Sequence, residues 1–549
     1  MATTAGLVLA AIALIEPTIK LINGTLDFIQ DTNNFGKDAY DLGLKMSQQK
    51  SRYDSLQKVL FEDNKFPFIN GKPFAHLPEE KQRILLAMLR EIPQLLFEYY
   101  VTEVSYNLKP SREELSDSRN EEQGLPTILT SKELETIFEK GSESEVFSGV
   151  LYPKTGKLQK MWWSVRGKKR AVKLVAQFQD WLKRIRETLE DCWWPLPFFD
   201  KSSNLQVVED DVDAQAVGVA QKAGLRKILL DDSRLPGDVK LSTPQLTVKG
   251  FDKACRGFSR YDDKDVFVEY LPYEPDKDGF LPRTLRRRFG EIAWLLNQQK
   301  DPEFRALHCF GYIDSSFPRK EFQLVYRVPE NRGKSPKSLL SLYGDKKFPR
   351  PSLGDRVSLC QLLAQSMSLL HSVGWIHKGF RSSNVLFFPR ASETQVVDKL
   401  EDPFIVGFEA CRLEDDFSTG PYDNLLSQNI YRHPDRWGIP KKPFTKYHDI
   451  YALGIVLLEI GLWEKAETMG NNNFQVVKQN SDAICKELLR QAERRLGYHC
   501  GGKFKEIVRR CITGDFDITT AADDKLDTQL QSKFRELIIM PLAEMAKAV

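Results

Sequence analysis

Through the first 200 residues apolar positions recur every three or four residues, the period of a helix with one buried face, not the alternation of a half-buried strand. Leu7, Ala10, Ala11 and Leu14 open one stripe, and Ile19, Ile22 and Leu26 continue it beyond Pro17. The pattern predicts a second helix over 39–60 and a third over 79–99, with a Pro- and Gly-bearing loop around 66–78 between them. A polar stretch over 110–124 reads as a surface connection, and two more helices are expected near 131–140 and 163–191. Together these predict an antiparallel α-helical bundle over 1–195. Within it, Ala171-Val172-Lys173 spells a strand that carries a phosphate-gripping lysine. Leu174, Phe178, Trp181 and Ile185 follow at helical spacing and no phosphate loop precedes it, so a helix is expected there.

The pattern changes after residue 200. Val208-Glu209-Asp210-Asp211-Val212-Asp213 is acidic, and 196–245 reads as a linker. Strand-like runs follow at Val266–Tyr270 and Phe322–Tyr326, and long helical patterns dominate after Leu353. The order predicts an α+β second domain over 246–549, with a small sheet-rich lobe over 246–330 and a large helical lobe over 331–549.

Length agrees with two domains, since 549 residues exceed what one core serves at about 100–200 residues per domain. With 79 Lys plus Arg against 76 Asp plus Glu, bulk charge gives no reason to expect nucleic acid as a partner. The 8 cysteines include no C-x-x-C pair, so neither a metal nor a redox site is expected and a reducing cytoplasmic setting is. Glu16, Pro17 and Lys20 interrupt the apolar N-terminus. The unbroken part ends at Ile15 and falls short of the roughly 20 residues a bilayer span needs, and no basic segment precedes it as in a signal peptide.

Candidate chemistry gathers in the second domain. His377-Lys378-Gly379-Phe380-Arg381-Ser382-Ser383-Asn384 can be laid without a gap on the H-R-D-L-x-x-x-N loop of protein kinases. Upstream, Leu359–Val373 is an apolar helical run that leads into that loop. Downstream, Phe404-Ile405-Val406-Gly407-Phe408-Glu409 stands where a strand leads into D-F-G, and His433-Pro434-Asp435 where A-P-E closes the activation segment. Asp449-Ile450-Tyr451-Ala452-Leu453-Gly454 through Glu459 resembles the buried central helix of the large lobe. In this order the motifs resemble the protein-kinase family, which implies an α+β two-lobed fold.

The chemistry that family requires is not intact. Glu269 falls where a strand lysine grips phosphate, Gly379 where an aspartate accepts the substrate proton, and Gly407 where an aspartate holds magnesium. Asn384 matches the second metal ligand, yet one neutral amide cannot hold Mg²⁺ against water. The resemblance therefore implies a pseudokinase, not an enzyme, with no metal and no cofactor, ATP included. Asn384 and Glu291 are the weak candidates for any cofactor contact, Glu291 being either the helix glutamate that pairs with the missing lysine or a solvated residue. Arg286-Arg287-Arg288 could supply a cation to Glu269 in a charge-swapped pair. His377 and Asp449 read as braces of the loop, Gly250 to Gly257 as a turn, and Arg510 either as a partner of Asp435 or as surface charge.

Met1 to Ala11, followed by helices and the segment Trp162-Trp163-Ser164-Val165-Arg166-Gly167-Lys168-Lys169-Arg170, is similar to the HeLo, or prion-inhibition and propagation, family of fungal proteins. That resemblance implies incompatibility or cell-death signalling, and membrane contact through Ala2 to Ile22. Coupling to a pseudokinase resembles the mixed-lineage kinase domain-like architecture. The expectation is a cytoplasmic signalling protein with protein partners and the capacity to oligomerise, associating with membrane on activation. At rest, Ala2 to Ile15 is expected to pack in the bundle core. The alternatives are an atypical active kinase that binds ATP, and a scaffold without membrane activity.

Overall fold

A computed structural model of the chain describes residues 4–31, 37–107, 168–194, 196–230, 239–241, 249–250, 256–262, 264–272, 283–298, 302–315, 321–390, 400, 402–408, 412–413, 426–437, 443–470, 474, 480–518 and 523–548. These residues are mostly helical, with small antiparallel sheets, and the chain divides into two compact units, Met1–Gly224 and Leu225–Val549. The expected surface connection over 110–124, the helix over 131–140, and Trp162 to Gly167 lie outside the described residues.

The first unit opens with α1 (Thr4–Ala13) and α2 (Ile15–Asp31), separated at Leu14. Pro17 falls in the first turn of α2, where its missing N–H has no intrahelical partner to lose. Glu16 and Lys20 pair at 2.8 Å, so the two charges expected to interrupt the apolar run neutralise each other. Counted through these charges, Thr4–Asp27 is long and apolar enough to cross a membrane by length and composition, a test that a buried core helix also passes. Leu7, Ala11, Leu14, Leu21 and Ile22 of this run are buried in the core of the unit.

The remaining bundle helices are α3 (Lys37–Phe61), α4 (Glu79–Asn107) and α5 (Lys168–Trp193). On α5 the residues Ala171, Leu174, Val175, Phe178, Leu182, Ile185 and Leu189 form one buried face, as the helical spacing predicts. At its end Trp193 is fully buried, stacked on Phe199 at 5.4 Å between centroids and edge-on to Phe66 at 5.5 Å. Aromatic pairs of this kind add about 0.5–1.5 kcal/mol each beyond burial.

The expected linker over 196–245 requires correction. It carries α6 (Ser202–Asp210), α7 (Val212–Val217) and α8 (Ala220–Leu230). The acidity that read as a linker serves two local purposes. Asp211 caps α7 by accepting the Ala214 N–H at 2.7 Å, and Asp211 and Asp213 bind Lys65 at 2.9 and 2.6 Å. Lys222 of α8 closes on the buried Glu190 of α5.

The second unit begins with an antiparallel sheet in the order β1-β2-β3-β5-β4, formed by β1 (Lys249–Gly250), β2 (Arg256–Tyr261), β3 (Lys264–Pro272), β4 (Cys309–Ser315) and β5 (Glu321–Arg327). Gly250 faces Gly257 across the first pair. Successive side chains of β3 alternate faces. Val266 and Val268 pack with Ile313 and Val325, while Phe267 enters the main core. Helix α9 (Arg283–Asn297) lies against the sheet through Phe289, whose ring stacks on Phe322 at 4.2 Å.

The principal helices that follow are α10 (Leu353–Ser372), α11 (Lys446–Leu462), α12 (Ser481–Gln491), α13 (Gly502–Thr513), α14 (Asp523–Phe534) and α15 (Met540–Ala548). Every residue of α11 except Tyr447 is buried. Helix α13 approaches it so closely that a Cβ on Gly454 would lie 2.7 Å from the Cys511 Cβ. Between α10 and α11 run β6 (Trp375–Ile376), β7 (Val385–Phe387) and β8 (Phe404–Ile405), with β7 and β8 antiparallel. The segment 377–384 is thereby held between a strand that ends at Ile376 and one that starts at Val385.

Candidate functional site

The segment 377–384 is anchored from behind by Asp449 of α11. Its carboxylate accepts the backbone N–H groups of His377 at 2.6 Å and Lys378 at 2.9 Å, and lies 3.1 Å from His371 Nε2. Lys378 sits at φ 60, a left-handed conformation a side chain rarely adopts, and its bond to Asp449 helps hold it there. Burial alone would raise the Asp449 carboxyl, but the bond from His371 and the facing backbone N–H groups hold it below the usual value. His377 is buried beside Phe408, ring to ring at 4.7 Å, and burial pushes its imidazole down to about 4 against the opposing pull of Asp449. A second buried acid of α11, Glu459, receives the Ser382 hydroxyl, the Tyr431 hydroxyl at 2.9 Å and the Ala466 N–H at 2.7 Å. Burial outweighs these donors and raises Glu459 to about 7.

The front of the segment is closed by the sheet. Glu269 and Arg256 are directly opposite across β3 and β2, and the Arg256 Nε donates to Glu269 Oε1 at 2.9 Å. Tyr326, diagonal to Glu269 on β5, donates its hydroxyl to Oε2 at 2.9 Å. The guanidinium continues onto the segment, donating to the Ser383 carbonyl at 3.0 Å and to Asn384 Oδ1 at 2.6 Å. Glu269 also accepts the Gly407 N–H at 3.1 and 3.3 Å. The other end of the Asn384 amide donates to the Gly379 carbonyl at 2.7 Å. One buried acid, one cation and one amide thus saturate one another, and five donors of the planar guanidinium suit it to bridge several acceptors at once.

This packing leaves no room for a side chain at Gly407 and little at Gly379. Gly407 has φ 83, and a Cβ there would stand 2.2 Å from Asn384 Nδ2. A Cβ on Gly379 would meet the Gly407 carbonyl at 3.3 Å. The glycine at 407 is therefore matched by the inward position of Asn384.

Residues 317–548 match the model of a family described as Domain of unknown function (DUF7580). No curated protein matches the chain. The match contains Gly379, Asn384, Gly407, Asp449 and Glu459, whereas Arg256 and Glu269, which close the front of the site, precede it.

The structure thus brings Glu269, Gly379, Gly407, His377 and Asn384 together. It leaves Glu291 apart from them, paired with Arg287 at 2.8 Å one turn away on α9. A cation that meets Glu269 is Arg256, outside the expected run 286–288; of that run Arg287 pairs with Glu291, and the side chains of Arg286 and Arg288 lie outside those described. Arg510 pairs with Glu506 at 2.9 Å and Asp517 at 2.8 Å, and Asp435 is bound by His433 and His448 instead. Sequence reasoning missed Arg256 because the only signal, a cation opposite Glu269, appears once the register of β2 and β3 is known.

Proposed function

We propose that the second unit is a two-lobed, protein-kinase-like domain that no longer transfers phosphate, and that it works by binding and conformational change on a helical effector unit. The observation that carries this reading is Arg256, whose guanidinium is bound at once to Glu269 and Asn384. In phosphotransferases of that family the corresponding positions surround a nucleotide's phosphates and magnesium. Here they are closed on each other, with Asn384 engaged at both ends of its amide. A carboxylate at 269 also presents the wrong sign to phosphate. The order of the motifs from His377 to Asp449 supports the same assignment.

The helical unit is the effector of this proposal, in signalling of the cell-death type that its HeLo-like pattern suggests. It is cytoplasmic at rest and contacts membrane through Ala2 to Ile22 on activation, oligomerising with protein partners. The apolar length of Thr4–Asp27 supports membrane contact, and the burial of Leu7, Ala11 and Leu14 supports a resting state with the helix packed away.

Purified full-length protein heated with and without MgATP tests the first part. A ligand that binds only the folded form must raise Tm, so no shift and no turnover are expected. A Tm rise that needs Mg²⁺, or turnover lost in Asn384→Ala, overturns the assignment. Leakage of anionic liposomes by the full chain, lost on deleting 2–15, tests the effector; unchanged leakage favours a scaffold.

A further inference from the structure

Outside the site above, three ligating side chains converge on one cavity of the second unit. His433 and Asp435 flank Pro434 at a short 3-10 turn, Pro434–Arg436, and His448 lies in the first turn of α11. His433 Nδ1 is 2.8 Å from Asp435 Oδ1, and His448 Nε2 is 3.0 Å from the same oxygen. All three candidate ligand atoms lie within 4.8 Å of one another. They open onto a cavity of about 420 Å³ that is also lined by Thr445, Tyr447 and Cys511. We infer that His433, Asp435 and His448 form a divalent-cation site of zinc-like chemistry.

The hydrogen bonding around the cluster supports this. His448 Nδ1 accepts the Thr445 N–H at 2.8 Å as part of a capping box, which places its proton on Nε2, facing Asp435. His433 Nδ1 stands 2.8 Å from the same carboxylate and 3.3 Å from the Asp435 backbone nitrogen. Both rings thus face one carboxylate oxygen at hydrogen-bond distance, and a cation can take the place of the protons that join them. Two imidazoles and one carboxylate suit Zn²⁺, Co²⁺ or Fe²⁺ and leave coordination positions for solvent from the cavity. Bonds to zinc of about 2.0–2.2 Å set ligands roughly 3.4 Å apart, so the cluster has to open by only a few tenths of an ångström.

Binding at Nε2 shifts the His448 proton to Nδ1, where it donates to the Thr445 hydroxyl at 3.0 Å in place of the bond that Nδ1 accepts from the Thr445 N–H. Arg436, whose guanidinium lies 5.7 Å from the Phe444 ring centroid, is the neighbouring cation that a metal has to tolerate. Cys511 is not a ligand in this assignment: it packs on Gly454, and burial raises its thiol far above the usual range.

The test uses full-length protein stripped with chelator and titrated calorimetrically with Zn²⁺ alone. One equivalent is expected to bind, with affinity reduced at least about tenfold in Asp435→Asn. His308→Asn, at an exposed histidine outside the cluster, is expected to bind as the wild type does. No binding by the wild type, or equal affinity in Asp435→Asn, overturns the site. Should Asp435→Asn fail to fold, X-ray absorption of the zinc-loaded wild type decides. Two imidazoles with oxygen donors support the assignment, and a sulfur donor or an all-oxygen shell overturns it.

Discussion

Asp449 and Glu269 each bury a carboxylate against the segment 377–384, one from behind and one from the front, and they hold it by different means. Asp449 is satisfied chiefly by backbone N–H groups of His377 and Lys378, donors that almost any sequence in the segment would supply. Glu269 relies on side chains, Arg256 and Tyr326, and through Arg256 on Asn384. The rear anchor thus sets the path of the backbone whatever chemistry the segment carries. The front closure depends on particular side chains and on empty space at Gly407.

The largest effect is expected at the rear. Asp449→Ala strands two backbone N–H groups with no replacement acceptor, at a cost of about 4 kcal/mol, read from urea denaturation of the full chain. A loss below about 1 kcal/mol would break the contrast.

Next comes the front pair. Glu269→Leu leaves a buried guanidinium unpaired and is expected to cost about 3 kcal/mol, and Arg256→Met a similar amount. The double variant should recover most of the loss, because two apolar side chains replace a desolvated ion pair without an orphan charge. Additive losses in the cycle would mean that the pair is not coupled.

Gly407→Ala is expected to cost about 2–3 kcal/mol, combining a strained left-handed backbone with displacement of Asn384. For the same reason Gly407→Asp should destabilise the domain without conferring magnesium-dependent thermal protection; such protection would show that Asn384 yields easily.

The smallest effect is a pH dependence, and its sign separates two buried groups. Glu459, raised from 4.5 to about 7, stabilises the fold fully below pH 4.5, and that contribution is lost as pH rises through 7. His377, lowered from 6.5 to about 4, acts oppositely: its contribution is present above pH 6.5 and lost as pH falls through 4. The two slopes offset between them. Glu459→Gln removes one, so its stability relative to wild type should rise by about 2–3 kcal/mol between pH 4.5 and 7 in paired denaturation curves. A difference that does not vary with pH would show that Glu459 titrates normally.

What the sequence determined by itself was local. Helical spacing fixed the character of α5 against the strand-like Ala171-Val172-Lys173, and β-branched and aromatic runs marked β3 and β5. Tertiary structure decided the partners. Arg256 and Asn384 are 128 residues apart, and the match of Arg256 to Glu269 follows from strand register, which a shift of one residue would abolish. The acidic run 208–213 read as a linker because Lys65, its counter-charge, is remote in sequence. The cluster of His433, Asp435 and His448 was equally hidden, since one of its members comes from a different helix. Periodicity is a property of neighbours along the chain. Charge pairing and ligand convergence depend on distance in space, which folding sets.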